Sequence, residues 1–326
     1  MVEHKKLIKR DESIDILKGF GIVFMIIAHT YGPNNFLWDA IYTFHMPLFF
    51  IITGFLYKHK NLFELFRRSF SQLIVPYIFA CIIIVAISQI RQPHSILIDF
   101  SSILSGLGPG WFLLALFLAR IEFHCLLIFF PKSHIIVSLI ISSCIAVVAH
   151  YNNWPSYFAF YPSLVSLVFI SMGYYTRQQK LLETGNFKTF TIFAILSWLI
   201  TFVYGKVEMS HCLFKLNCID FAGSISGTYI VYKLSQMINA NNTNIIKELK
   251  ALLVFTGRYS LVILYFHTID YCIYPWYVIE PYISNKLFLL TLITIYRFLF
   301  VYLCVTISIR SKVLRSFFNI KDNTRT

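Results

Sequence analysis

The sequence predicts an all-α integral membrane protein, a polytopic bundle of about ten transmembrane helices with both termini in the cytoplasm. Composition is the first observation. Of 326 residues, 57% are hydrophobic and 13% charged, about half the charged share of a soluble domain, and the mean hydropathy is +0.68. Patterning is the second: apolar residues come in long runs, as from Leu73 to Ile90 and from Trp111 to Ala119. A span needs about 20 apolar residues. These runs are too long and continuous for barrel strands, and lipid offers no partner to an open strand edge, so the spans are expected to be helices. The third observation is where the basic residues fall between the runs.

The candidate helices cover 13–31, 40–57, 71–90, 110–130, 134–150, 158–176, 189–204, 218–238, 256–279 and 286–309. Lys5, Lys6, Lys9 and Arg10 precede the first run, which holds Asp15 and Lys18 and ends without a small-residue cleavage site. It is therefore expected to be a retained span and not a cleaved signal peptide. Pro47 and Gly54 in the second run are expected to kink or thin that helix. The segment Ser105-Gly106-Leu107-Gly108-Pro109-Gly110 reads as a turn leading into the fourth. Segments 91–109, 205–217 and 239–255 are the longest expected outside the membrane. The division expected is a basic cytoplasmic segment over 1–12, a transmembrane domain over 13–309 and a cytoplasmic tail over 310–326.

Segments on the N-terminal side of the bundle hold 19 of the 28 Lys and Arg residues, and segments on the other side hold 4. The positive-inside rule then places both termini in the cytoplasm. The same distribution accounts for the net charge of +13 without a nucleic-acid partner; the bilayer is the expected one. The seven cysteines lie mostly inside apolar runs with no Cys/His metal spacing, so no metal site is expected. Only Cys212 and Cys218 share a loop in which a disulfide is conceivable.

Ionisable residues inside spans are costly and are functional candidates by default. The first run is the densest case. Lys18 and His29 are eleven residues apart, which on a helix is three turns plus about 20°, so both fall on one stripe about 16 Å apart along the axis. Asp15 lies on the same stripe, and as the i, i+3 neighbour of Lys18 it can orient that side chain. A cation at one end of a stripe and an imidazole at the other suit an elongated donor with a phosphate head and a reactive tail, the shape of acyl-coenzyme A. His45 falls near the same membrane face as His29. Tyr265, His267 and Asp270 gather in the outer half of the ninth run, and Arg297, inside the tenth, is expected to pair with a carboxylate such as Asp270. Trp111 reads equally as an interfacial belt residue or a site residue.

Several of these residues fall in ordered motifs. They are Ile14-Asp15-Ile16-Leu17-Lys18-Gly19 with a Lys-x10-His spacing to His29, His45-Met46-Pro47-Leu48-Phe49-Phe50 followed by Thr53-Gly54-Phe55, and Gly110-Trp111-Phe112-Leu113. Phe169-Ile170-Ser171-Met172-Gly173-Tyr174, Gly257-Arg258-Tyr259-Ser260-Leu261 and Tyr265-Phe266-His267 follow. Together they resemble the membrane acyltransferase-3 family, whose bacterial members O-acylate surface polysaccharides and related acceptors. The resemblance implies about ten helices and a catalytic His29 with Lys18 as its basic partner. It also implies acyl-CoA, commonly acetyl-CoA, as a cytoplasmic donor substrate with no tightly bound cofactor. A glycan or lipid-linked glycan is the implied acceptor, and the bacterial cytoplasmic (inner) membrane the implied location. Two departures stand out. Arg67 and Arg68 lie eight or nine residues before Pro76, with Gln72 where a second arginine of an RxxR-like pair is expected, so they read equally as donor-phosphate ligands and as positive-inside anchors. No C-terminal SGNH-type esterase domain is expected.

His29 is then expected to act as general base on an acceptor hydroxyl, or as a transient acyl carrier; the sequence leaves both routes open. Two other functions remain open at this level. One is a transporter or flippase whose buried His, Asp and Arg line a path; the other is an acyl-CoA-binding membrane component without catalysis.

Overall fold

The computed structural model describes residues 12–33, 35–91, 100–152, 159–181, 187–241, 243–273, 276 and 279–320. It is an all-α membrane protein with a single small hairpin among the described residues. Helix α1 (Glu12–Tyr31) carries Glu12 and Asp15 in its first turn, where carboxylates favour the helix dipole. It stops at Gly32, which takes φ +71 and precedes Pro33, a common helix terminator. The second window is broken into α2 (Phe36–Tyr42) and α3 (His45–Phe55) at Thr43 and Phe44. Pro47 is the cause: it has no N–H for the carbonyl of Thr43 and its ring crowds that group. The kink expected near Pro47 thus appears one turn earlier. Trp198 Nε1 donates to Thr43 Oγ1 at 2.8 Å and steadies the break.

Helix α4 (Leu62–Ser69) runs through a π-helical turn (Phe70–Ile74) into α5 (Val75–Arg91). After α6 (Phe100–Ser105), Gly108–Gly110 form the expected turn, a 3-10 segment feeding α7 (Trp111–Phe129). Then come α8 (His134–Asn152), α9 (Phe160–Gln178), α10 (Phe187–Tyr204) and α11 (Cys218–Ala240). Between α10 and α11, β1 (Val207–Glu208) pairs antiparallel with β2 (Leu213–Phe214). Cys212 and Cys218 at this hairpin are free, so the disulfide considered from their spacing does not form. Helices α12 (Asn244–Arg258), α13 (Ser260–Ile273), α14 (Lys286–Arg310) and α15 (Lys312–Phe317) complete the described chain.

In their described parts the apolar windows fall on these helices, the second and the ninth each broken in two; residues 158, 274, 275, 277 and 278 of the sixth and ninth windows lie outside the described residues. Helices α12 and α13 meet at 76°, so most of 239–255, expected outside the membrane, is a helix packed along α1. By length and composition alone, five described helical segments suit a membrane crossing, or six with the bent pair. Helices α9 and α11 fall short of that apolarity for a physical reason. They sit inside the bundle, with Ser163, Ser166, Ser171, Ser224, Thr228 and Ser235 buried, where small hydroxyls are satisfied by neighbouring carbonyls and need not match lipid. Helices α5, α8, α10 and α14 instead expose Ile78, Ile82, Ile140, Phe193, Ile200 and Leu303, as lipid-facing surfaces do.

Two pairs of glycines bring the helices closest. A Cβ on Gly54 would overlap the Ile170 carbonyl of α9, and one on Gly173 would overlap that of Ile51 in α3; Gly19 and Gly257 stand in the same reciprocal relation across α1 and α12. Small residues allow such backbone approach in membrane bundles. Alanine at Gly54 or Gly257 is expected to cost about 1–3 kcal/mol through overpacking. Thermal denaturation of detergent-solubilised protein measures it, and an unchanged melting temperature would show that the helices do not approach so closely.

Candidate active site

Helices α1, α3, α7 and α13 run side by side past two consecutive cavities. The larger, about 370 Å3, is lined by the cations Lys18, Lys58, Lys60, Arg68 and Arg120, and among the described residues no carboxylate lines it. The smaller, about 30 Å3, is lined by His29, Tyr42, His45, Trp111 and Pro109, together with Met209 and Ser210 of the hairpin turn. Met25, Met46 and Leu264 line both.

The helices reach from one cavity to the other in register. Helix α1 places Lys18 on the large cavity and His29 on the small one. Helix α3 places His45 at the small cavity and Thr53 at the large one, with Leu56 just past its end also at the large one. Helix α7 starts with Trp111 at the small cavity and reaches Arg120 at the large one. The basic cavity therefore lies at the end of α1 nearest the N-terminus.

Around His29 the packing is aromatic and polar. Its ring centroid lies 5.3 Å from His267, 5.1 Å from Tyr271 and 6.1 Å from Tyr42. His267 is fully buried, and neither of its ring nitrogens has a hydrogen-bond partner among the described residues. Tyr42 stacks on Trp38 at 3.7 Å and lies 4.6 Å from His45. His45 Nδ1 is 3.0 Å from the Ile41 carbonyl. A carbonyl only accepts, so Nδ1 carries the proton and Nε2 holds the lone pair in the neutral ring.

One turn behind His29's ring contacts stands a buried ion pair. Arg297 Nε donates to Asp270 Oδ2 at 3.0 Å, and its Nη1 donates to Thr30 Oγ1, also at 3.0 Å. Thr30 in turn donates to the Ile26 carbonyl at 2.8 Å. The guanidinium also lies 6.0 Å from the Tyr271 ring. This network ties the last turn of α1 to α13 and α14, and Arg297 has the carboxylate partner expected of it.

At the other end of α1, Asp15 is buried and lies 3.9 Å from Lys18 Nζ and 3.6 Å from Arg258 Nε. Glu12 pairs with Lys250 at 2.9 Å, so α12 is pinned to α1 where Lys18 meets the basic cavity. The two arginines of α4 part company. Arg68 lines the cavity and pairs with Glu64 at 2.7 Å, whereas Arg67 is exposed and does not line it. Gln72 lines the cavity from the π-helical turn. Tyr265 lines neither cavity; it is buried against Ala80, Ile84 and Ile269, with its ring 5.1 Å from Phe318.

Sequence reasoning passed over Tyr42, Tyr271, Arg120 and the hairpin. Arg120 had a signal, a cation inside the fourth apolar window; Tyr42 had a weaker one, three residues before His45. The hairpin had none.

Four helices carrying a basic cavity and a histidine cavity in series, inside an apolar bundle, define a multi-pass membrane protein with an internal site able to hold an elongated anionic substrate. The profile of the acyltransferase domain family matches residues 11–309, and the chain belongs to that family. It is similar to "Nodulation protein NolL" of Mesorhizobium japonicum, 32% identical over 161 residues, covering 42% of this chain and 41% of that protein. It is likewise similar to the protein of the same name from Sinorhizobium fredii, 33% identical over 125 residues, covering 32% of this chain and 34% of the relative. The matched part thus spans less than half the length of these relatives. No solved structure matches the chain.

Proposed function

We propose that the protein is a membrane O-acyltransferase of the bacterial cytoplasmic membrane, both termini inside. It takes an acyl group from cytoplasmic acyl-CoA and delivers it to a hydroxyl of a surface-polysaccharide sugar or its lipid-linked precursor. The observation that carries this reading is the pair of cavities in series. Five cations around the larger suit the phosphates of coenzyme A, while the smaller holds His29 at a distance that an extended pantetheine arm can cover.

In this reading His29 removes the proton of the acceptor hydroxyl as the oxygen attacks the thioester carbonyl. The C–O bond forms, the C–S bond breaks, and His29 returns the proton to the departing thiolate. Charge developing on the carbonyl oxygen needs a donor in a water-poor site. Tyr42 and Trp111, which line the small cavity with His29, carry the O–H and N–H that supply it. Lys18 holds a phosphate group, with Asp15 and Arg258 fixing its place.

Labelled acetyl-CoA supplied to inverted vesicles tests the reading. Label bound covalently to glycan supports it; movement of label without covalent transfer would establish a transporter, and binding alone a non-catalytic component. Lys18→Ala is expected to raise the KM for acyl-CoA about tenfold, the worth of one charge-assisted hydrogen bond, with a smaller effect on kcat. Initial rates against donor concentration check this, and an unchanged KM would remove Lys18 from the donor site.

A further inference from the structure

Building on the acyl-transfer reading, we infer that Met25, Met46 and Leu264 form the constriction before an acyl-length pocket: the small cavity they lead into and help to line admits a two-carbon acyl group beside His29 and has no room for longer ones. These three side chains border both cavities, so they stand between them. They come from three different helices, and each adjoins a histidine. Met25 is one turn before His29, Met46 follows His45 directly, and Leu264 is three residues before His267. The constriction and the imidazoles are thus placed by the same helical turns.

The space beyond it is small. A water needs about 10–15 Å3 of such volume, so about 30 Å3 accommodates a methyl and a carbonyl and little more. Its far walls cannot readily yield: Tyr42 is stacked on Trp38, Pro109 is rigid, and Met209 of the hairpin turn is buried. The larger cavity is not limiting at about 370 Å3. Methionine suits the constriction because its unbranched side chain has three rotatable bonds and can swing aside for a thioester arm. The chemistry is unaltered: the thioester C–S bond breaks, the ester C–O bond forms, and the hydroxyl proton passes through His29 to the thiolate.

The test uses the full chain in inverted vesicles, with acetyl-CoA and butyryl-CoA in parallel and ester on glycan as readout. Extra methylenes in a tight apolar pocket discriminate by about 10–200-fold, so the unaltered protein is expected to favour acetyl by that order. Met25→Ala is expected to lower the acetyl-to-butyryl rate ratio at least about tenfold. Leu264→Ala, opening the same constriction from α13, gives the same readout where the first variant fails to accumulate. Transfer of butyryl as readily as acetyl by the unaltered protein overturns the inference, as does an unchanged ratio in an active variant. Absence of transfer from either donor by the unaltered protein instead overturns the acyltransferase reading itself.

Discussion

Replacing His29 with alanine is expected to abolish transfer of acetyl label to glycan while leaving the bundle folded. A general base contributes about 10²–10⁴-fold to rate, and no neighbour takes over readily. His45 is anchored on its own helix by the hydrogen bond from Nδ1 to the Ile41 carbonyl, so its Nε2 lone pair cannot move into the place His29 vacates, and His267 lies behind His29, wholly buried on α13. The substitution removes no hydrogen bond of the Arg297 network, which holds Thr30 instead, so the melting temperature should change little. The measurement is the initial rate of ester formation in inverted vesicles, normalised to folded protein. Near-normal activity in a stable His29→Ala variant would remove His29 from the mechanism. Loss of transfer together with loss of folding would call for His29→Gln, which preserves side-chain bulk and polarity.

The second large effect is expected at the Arg297 and Asp270 pair. Both side chains are almost fully buried, so removing one leaves the other charged and uncompensated, at about 3–5 kcal/mol. Arg297→Met should therefore lower the melting temperature sharply and also depress activity, because Thr30 loses its anchor and the last turn of α1 carries His29. The double variant Arg297→Met, Asp270→Leu removes both charges and should recover much of the stability, since apolar replacement of a buried pair is often neutral. Activity should stay low, because the Thr30 contact is still missing. Thermal denaturation and ester formation, measured on the same preparations, separate the two effects. A single Arg297→Met variant as stable as the unaltered protein would show that the pair does not hold the bundle.

Much of the architecture was legible because it depends on local sequence. Transfer of apolar side chains from water is a property of each run, and the helix repeat is fixed, so the windows found their helices and the Lys18–His29 stripe could be drawn. The pairing of Arg297 with Asp270 was legible on energetic grounds: a cation at that depth needs a carboxylate, and few were at hand. Tyr265 shows the limit. Its neighbour in the motif, His267, packs against His29, yet two residues on a helix are about 200° apart, so Tyr265 faces the opposite way, into an apolar cluster. Arg67 and Arg68 differ likewise: adjacent on one helix, they point about 100° apart, and only Arg68 reaches the cavity.

The sequence by itself determined the class of protein, the helical segments, the asymmetry of basic charge and the stripe that joins Lys18 to His29. All of these follow from hydropathy, charge and helical periodicity within short stretches of chain. The tertiary structure decided what closes around His29: the hairpin turn at Met209 and Ser210, Tyr271 and His267 from beyond the bend at Tyr259, Tyr42 at the break before Pro47, and the methionines between the cavities. Those contacts join residues far apart in the chain. They depend on how closely glycine-bearing helices approach and on the angles at which broken helices resume, quantities that no local pattern encodes.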